Sequence, residues 1–161
     1  MSEYRFTVDH NAGKLVKWLR MMGYDSLFFN GSDDGDMVKQ ALAEHRVILT
    51  RDRAIMKRRV VNNGQVRTIL IESEEPGQQM RQVIGLLGLD CRFRPFTLCL
   101  ECNEPLAERT PDEVKDRVPP YVFKTQQQYM ECPECRRIYW RGTHWEAMIR
   151  KLEKLAGNNR A

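Results

Sequence analysis

The sequence predicts a two-part α/β protein. A parallel sheet with helices on both faces spans residues 1–94; a small metal-stabilised unit with a C-terminal helix spans 95–161. Three observations carry this reading. Short apolar runs alternate with helix-spaced apolar residues from residue 4 to about residue 90. The third run, Val47-Ile48-Leu49, is continuous rather than alternating, as in a strand covered on both faces. Past Pro95 the alternation stops, and cysteines, prolines and short aromatic stretches replace it.

The elements follow in order. Residues 4–8 (YRFTV) read as a first strand. Leu15, Trp18, Leu19 and Met22 recur at helical spacing, and Gly23 stops that helix. Residues 25–29 (DSLFF) form a second strand, and Asn30-Gly31-Ser32 a turn. Val38, Ala41 and Leu42 mark a helix ending near His45. Residues 46–50 (RVILT) are the third strand. A helix is expected from Arg53 to about Val61, ended by Asn62-Asn63-Gly64. Residues 67–71 (RTILI) are the fourth strand, and Met80, Val83, Ile84 and Leu87 mark a helix stopped by Gly88. Residues 144–155 read as an amphipathic helix, with Thr143 as N-cap and Glu146 reaching back in a capping box. The terminal GNNRA is expected to fray.

A hydrophobic fraction of 42% against 30% charged residues excludes a disordered chain. A net charge of +4 is compatible with a polyanion partner, but neither part is a basic tail, so any nucleic-acid site must arise from local clustering. The start, MSEYRFTVDHN, lacks the apolar core of a signal peptide. No apolar run approaches the roughly 18 residues of a membrane span. The expected setting is the cytoplasm, with no membrane partner, where thiols stay reduced and paired cysteines usually signal metal or redox chemistry.

The cysteines form two C-x-x-C knuckles, CLEC (Cys99, Cys102) and CPEC (Cys132, Cys135). Four thiolates in that arrangement match a closed, tetrahedral, structural zinc site. A pair of redox dithiols is the competing reading. Residues 103–131 between the knuckles are long for such a site, so TPDEVKDRVPPYVF reads as an insertion: a helical turn or two, then an extended Pro-Pro segment. Cys91 has no motif partner and reads as a free, partly buried thiol.

The carboxylates are arranged differently. Asp9 follows the first strand, Asp52 the third, and Asp33, Asp34 and Asp36 come after the second, at a helix start. In an open parallel sheet all three strand ends face one crevice, where ligands gather. Clustered carboxylates repel unless a cation neutralises them, and Mg²⁺ or Mn²⁺ takes carboxylate oxygens together with substrate phosphate. The plainer reading is that Asp52 and Asp33 are helix N-caps. Asp9 is harder to explain so, because an Asp ending an apolar strand needs a partner or a cleft.

The segments FTVDHNAGKLVKWLRMMGYDS, RVILTRDRAI, PFTLCLECNEPL, DRVPPYVF and CPECRRIYWRGTHWE, in that order, resemble the Mut7-C family: RNases of the PIN-like superfamily with a C-terminal zinc ribbon. The resemblance implies a PIN-like three-layer domain with a parallel sheet, then the ribbon and its helix. It implies Mg²⁺ or Mn²⁺ on Asp9 and Asp52, with Asp34 as the third acid ahead of Asp33 and Asp36, and zinc on Cys99, Cys102, Cys132 and Cys135. It also implies metal-dependent hydrolysis of RNA. Many PIN nucleases carry a further acid soon after the third-strand Asp. Here Arg53 follows Asp52, and no Asp or Glu recurs until Glu72, which points toward one ion rather than two or toward a weak site. Some relatives carry an N-terminal ubiquitin-like unit, whereas this sequence opens at the first strand.

Candidate phosphate contacts are Lys14, Lys17 and Arg20 on the first helix, and Arg51 and Arg53 beside Asp52. Lys57-Arg58-Arg59, Arg136, Arg137 and Arg141 are further cations, and Tyr139, Trp140 and Trp145 are candidate base platforms or ribbon core. Each basic run also reads as an ordinary solvated helix face. His10 lies beside Asp9, Asn11 is placed to orient a metal-bound water, and His144 reads as the start of a capped helix. The rival function is a non-catalytic RNA-binding or ribosome-associated adaptor with RNA-processing partners. A toxin-like ribonuclease ranks third, because the ribbon exceeds what a minimal toxin needs.

Overall fold

The computed structural model describes residues 3–157. Beyond Gly157, the expected fraying of the terminus lies outside the described residues. The first strand, β1 (Phe6–Asp9), leads through a 3-10 turn (His10–Ala12) into α1 (Leu15–Met22). Then come β2 (Ser26–Phe29), α2 (Asp34–Glu44) and β3 (Val47–Thr50). The helix expected after β3 is broken into a 3-10 turn (Arg53–Lys57) and a short α3 (Arg59–Asn62), separated by extended backbone at Arg58. β4 (Thr68–Leu70) and α4 (Pro76–Leu87) complete the alternation.

The sheet is parallel throughout, in the order β2-β1-β3-β4. The chain leaves β1 in one direction to form β2 and returns to place β3 on the other side. The crevice between the carboxyl ends of β1 and β3 is therefore the topological switch point of the sheet, where ligands bind in such folds.

Strand alternation divides the apolar residues between two cores. Phe6, Val8, Val47 and Leu49 face one side, with α1 and α4. Ile48 faces the other, with Met37, Val38 and Ala41 of α2 and with Ile55 and Val61. Helices thus cover both faces, which is why β3 reads as an unbroken apolar run. Gly23 ends α1 at φ +98°, and a Cβ there would run into the backbone of Arg94, whose amide donates to the Met22 carbonyl at 2.9 Å. A glycine is required at that crossing.

The second part is a three-stranded antiparallel sheet: β5 (Ala107–Arg109), β6 (Tyr129–Glu131) and β7 (Ile138–Tyr139), in the order β5-β6-β7. The insertion between β5 and β6 holds α5 (Pro111–Val114), capped by a Thr110/Glu113 capping box, and α6 (Pro120–Thr125). The expected extended Pro-Pro segment is instead a helix start. Pro119 is the N-cap and Pro120 the first helical residue, where a missing N–H costs nothing. Val114, Val118, Val122 and Tyr129 form a small core there.

The last helix, α7 (Thr143–Gly157), returns to the first part. It packs against α4, and Trp145, Ile149 and Leu152 are buried in the same core as α1 and α4. Full burial of each such side chain contributes about 1.5–3 kcal/mol. The capping position is one residue earlier than expected. Thr143 is already helical, the Glu146 amide donates to the Gly142 carbonyl at 3.2 Å, and the Glu146 carboxylate lies 3.5 Å from Arg92. Among the described residues no helix is long and apolar enough to cross a membrane.

Candidate functional site

The switch-point crevice is built around Asp9. Its position at the end of a fully buried strand leaves it only 2% exposed. Such a carboxylate must be hydrogen-bonded, and four groups serve it. Oδ2 accepts from the Thr50 hydroxyl at 2.7 Å and from the Asn11 amide at 3.3 Å. Oδ1 accepts from the His10 backbone amide at 2.9 Å and lies 3.1 Å from His10 Nδ1. Thr50 also accepts from the Asp52 amide at 3.0 Å, and Asn11 Oδ1 accepts from the Arg51 amide at 2.9 Å. The carboxyl ends of β1 and β3 are thus tied together through Thr50 and Asn11. Sequence reasoning assigns Asn11 to a metal-bound water rather than to this tie, and gives Thr50 no role. The available signal was a hydroxyl residue closing the apolar run Val47-Ile48-Leu49.

The other aspartates occupy the same sheet edge with local tasks. Asp52 Oδ1 accepts from the Ala54 amide at 2.9 Å and caps the 3-10 turn. Asp33 Oδ1 accepts from the Gly35 amide at 2.8 Å and caps α2, with Asp34 and Asp36 in that helix's first turn. Both N-cap readings are therefore realised. Among the described residues, the one group of three or more His, Cys, Asp or Glu side chains close enough to hold an ion together is the cysteine quartet. Asp9, Asp34 and Asp52 share an edge without being gathered at that range.

The expected cations divide. Lys14, Lys17 and Arg53 are exposed. Arg51 places Nη2 3.8 Å from Glu74, while its buried Nε has no hydrogen-bond partner. Arg20 is not a solvent-facing contact. It is 7% exposed, with Nε on the Ser26 carbonyl at 3.0 Å and Nη1 on the Leu100 carbonyl at 2.8 Å. Burial lowers its pKa against the pull of nearby Cys99 and Glu101. Its periodicity placed it with Lys14 and Lys17, but the cysteine knuckle covers it. Arg136 and Arg141 also have intramolecular roles. Arg136 joins Arg109 and Arg117 around the buried carboxylate of Glu131, at 2.6, 2.9 and 3.0 Å. The Arg117 hydrogen bond leads in holding that carboxyl down to about 2, against its burial. Arg141 lies 4.8 Å over the ring of Trp145.

The cysteines do converge. The Sγ atoms of Cys99, Cys102, Cys132 and Cys135 all lie within 4.8 Å of one another, and Cys99 and Cys135 are 3.6 Å apart. A zinc tetrahedron with Zn–S bonds of about 2.3 Å needs sulfurs about 3.8 Å apart, so the quartet is compatible with zinc. Each knuckle turns through a left-handed residue just after its second cysteine, Asn103 at φ +64° and Arg136 at φ +68°. The Asn103 amide then bonds back to the Cys99 carbonyl and the Arg136 amide to that of Cys132, each at 2.9 Å. Hydrogen bonding with Cys135 leads in pushing the Cys102 thiol up, while the Arg137 backbone amide leads in holding Cys135 down. The first knuckle is fastened to the parallel sheet. Asn103 donates to Asp25 at 2.7 Å and accepts from the Ser26 amide at 3.0 Å, and Arg46 donates to the same Asp25 oxygen at 2.8 Å.

A family model described as the Mut7-C RNAse domain matches residues 4–152. No curated protein and no solved structure matches the chain.

Proposed function

The chain belongs to the Mut7-C RNAse domain family, and we propose that it is a ribonuclease that hydrolyses RNA phosphodiester bonds with Mg²⁺ or Mn²⁺ at the switch-point crevice. The observation that carries this reading is the buried Asp9, held at the end of β1 beside the end of β3. Asp9, Asp34 and Asp52 are the residues that would hold the ion, and their hard oxygen donors suit such a cation in kind. When bound, that ion supplies an activated water and neutralises charge developing on the phosphodiester.

The chain's own residues do the positioning. Thr50 and Asn11 fix one oxygen of Asp9, and the His10 amide fixes the other, so the carboxylate keeps one orientation. Asp52 hangs from the Thr50 hydroxyl through its own amide, so the two acids share one support. Arg51 and Arg53 follow the same strand and would meet substrate phosphate. In the ribbon, Cys99, Cys102, Cys132 and Cys135 would hold a structural zinc, with no open position for chemistry.

The adaptor reading is supported by a specific observation. The three aspartates are not gathered as a ligand group, and two of the sheet-edge acids, Asp33 and Asp52, already serve as helix caps. Cleavage of end-labelled structured and single-stranded RNA, with and without added Mn²⁺ or Mg²⁺, separates the two. The proposal expects metal-dependent cutting by the parent and a loss of at least about a hundredfold in Asp9→Asn. RNA binding without cutting, unchanged by metal or by the variant, would establish the adaptor instead.

A further inference from the structure

A groove of about 640 Å³ runs between α1, the edge strand β2 and the first cysteine knuckle. We infer that this groove binds an unpaired stretch of RNA on its way to Asp9, with a base stacked on Phe28 and flanking phosphates met by Lys14 and Lys17. This rests on the RNA-directed reading above, but not on cleavage.

Phe28 is the first reason. It is 46% exposed, although it lies in a sheet strand whose neighbours are largely covered. Its partner in register is Val8, one residue before Asp9, so its ring lies on the α1 side of the sheet close to the carboxyl end of β1. The turn that follows Asp9 makes room for it. A Cβ on Gly13 would come 2.8 Å from Phe28 Cε1. The glycine therefore lets the ring lie over the chain that leads out of the site.

Charge is the second reason. Lys14 and Lys17 are exposed on α1 and line the groove. Trp18 forms part of the wall, with Lys151 Nζ 5.5 Å from its ring centroid. The opposite wall is the knuckle segment Leu100-Glu101, held in place by the Arg20 bond to the Leu100 carbonyl. Glu101 takes Lys17 at 2.7 Å, so an entering phosphate must displace that carboxylate. An exposed aromatic sharing a groove with two cations matches a single strand, because only unpaired bases offer a free π-face. A duplex keeps its base faces stacked, and a peptide of acidic side chains offers Phe28 no ring to stack on.

The test is fluorescence anisotropy with a labelled oligouridylate, single-stranded or annealed to oligoadenylate. It uses zinc-loaded protein with no Mg²⁺ or Mn²⁺ added, so that binding is read without cutting. The expected results are preference for the single strand and a loss of about tenfold in Phe28→Ala, restored by Phe28→Tyr. Replacing Lys14 and Lys17 together should flatten the salt dependence by about 1.4 in log–log slope. Glu101→Gln, an exposed change that spares the core, should bind more tightly by freeing Lys17. The inference is overturned if the parent does not bind, if duplex binds equally well, if polyglutamate competes as well as RNA, or if Glu101→Gln shows no gain. Tight groove-dependent binding without metal-dependent cutting would leave the groove standing and remove the nuclease. Cutting with unaltered binding in Phe28→Ala and Glu101→Gln would do the reverse.

Discussion

The cysteine quartet and the aspartate edge are both ligand sets read from sequence, yet the fold treats them differently. In the ribbon, each knuckle is a local motif. Two cysteines three residues apart are turned toward each other by a left-handed residue and a backbone hydrogen bond, so spacing dictates geometry. One long-range step, the pairing of β5, β6 and β7, then brings the knuckles together. At the sheet edge, Asp9, Asp33 and Asp52 follow three different strands, and each already has hydrogen-bond donors of its own. Asp9 is enclosed by Thr50, Asn11 and His10, while Asp33 and Asp52 cap helix starts. The thiols converge on one point, whereas the carboxylates that serve as caps keep to separate places along the edge.

The largest expected effect tests the ribbon half of that contrast. Cys132→Ser should remove bound zinc from its expected one equivalent per chain and lower the unfolding midpoint by about 10 °C or more, since structural zinc binding is folding free energy. Because Asn103 and Arg20 fasten the first knuckle to β2, the loss should also raise hydrogen exchange at Ser26 and Leu27. Equal melting with and without zinc would break the comparison.

A smaller effect tests the sheet edge. Thr50→Val removes the hydroxyl that donates to Asp9 and accepts from the Asp52 amide, while keeping the shape of the side chain. Leaving those buried groups underserved should cost about 1–3 kcal/mol in urea unfolding. An unchanged midpoint would mean that Thr50 does not support Asp9.

The smallest effect lies at the seam between the two regions. Burial alone would raise the carboxyl of Asp25, but hydrogen bonds from Arg46 and Asn103 and the charges of Arg46 and Arg5 outweigh it and hold it below its ordinary value of 3.8. A depressed folded value means stability that is present above that ordinary value and is lost as pH falls through and below it. Asp25→Asn should therefore be less stable near neutrality and should lose less on acidification below about pH 4. Parallel pH profiles for parent and variant would exclude that role. The half-exposed setting of Asp25 keeps the expected size modest.

Much of the first part was legible because its signals are periodic. Unbroken apolar runs gave strands covered on both faces, and Gly23 and Gly88 marked helix ends correctly. What escaped depended on partners distant in sequence. Arg20 shares its spacing with Lys14 and Lys17, but the knuckle eighty residues later buries it. The amphipathic pattern of α7 announced a buried face without saying that α1 and α4 would receive it. Local chemistry also misled at Pro119-Pro120, where two prolines signalled extension and a helix start used them instead. At the candidate site the sequence named Asp9 and the caps alike, and it left open which acids would bind metal. That choice depends on distances between strand ends, which no spacing records.

The most direct measurement of the central claim is Mn²⁺ binding followed by electron paramagnetic resonance, on zinc-loaded parent and Asp9→Asn. The account predicts that the parent binds Mn²⁺ apart from its zinc. In the variant that affinity should fall by at least about tenfold, with zinc content unchanged. Equal Mn²⁺ binding by both proteins, or none by the parent, would contradict a hard-metal site at the carboxyl end of β1.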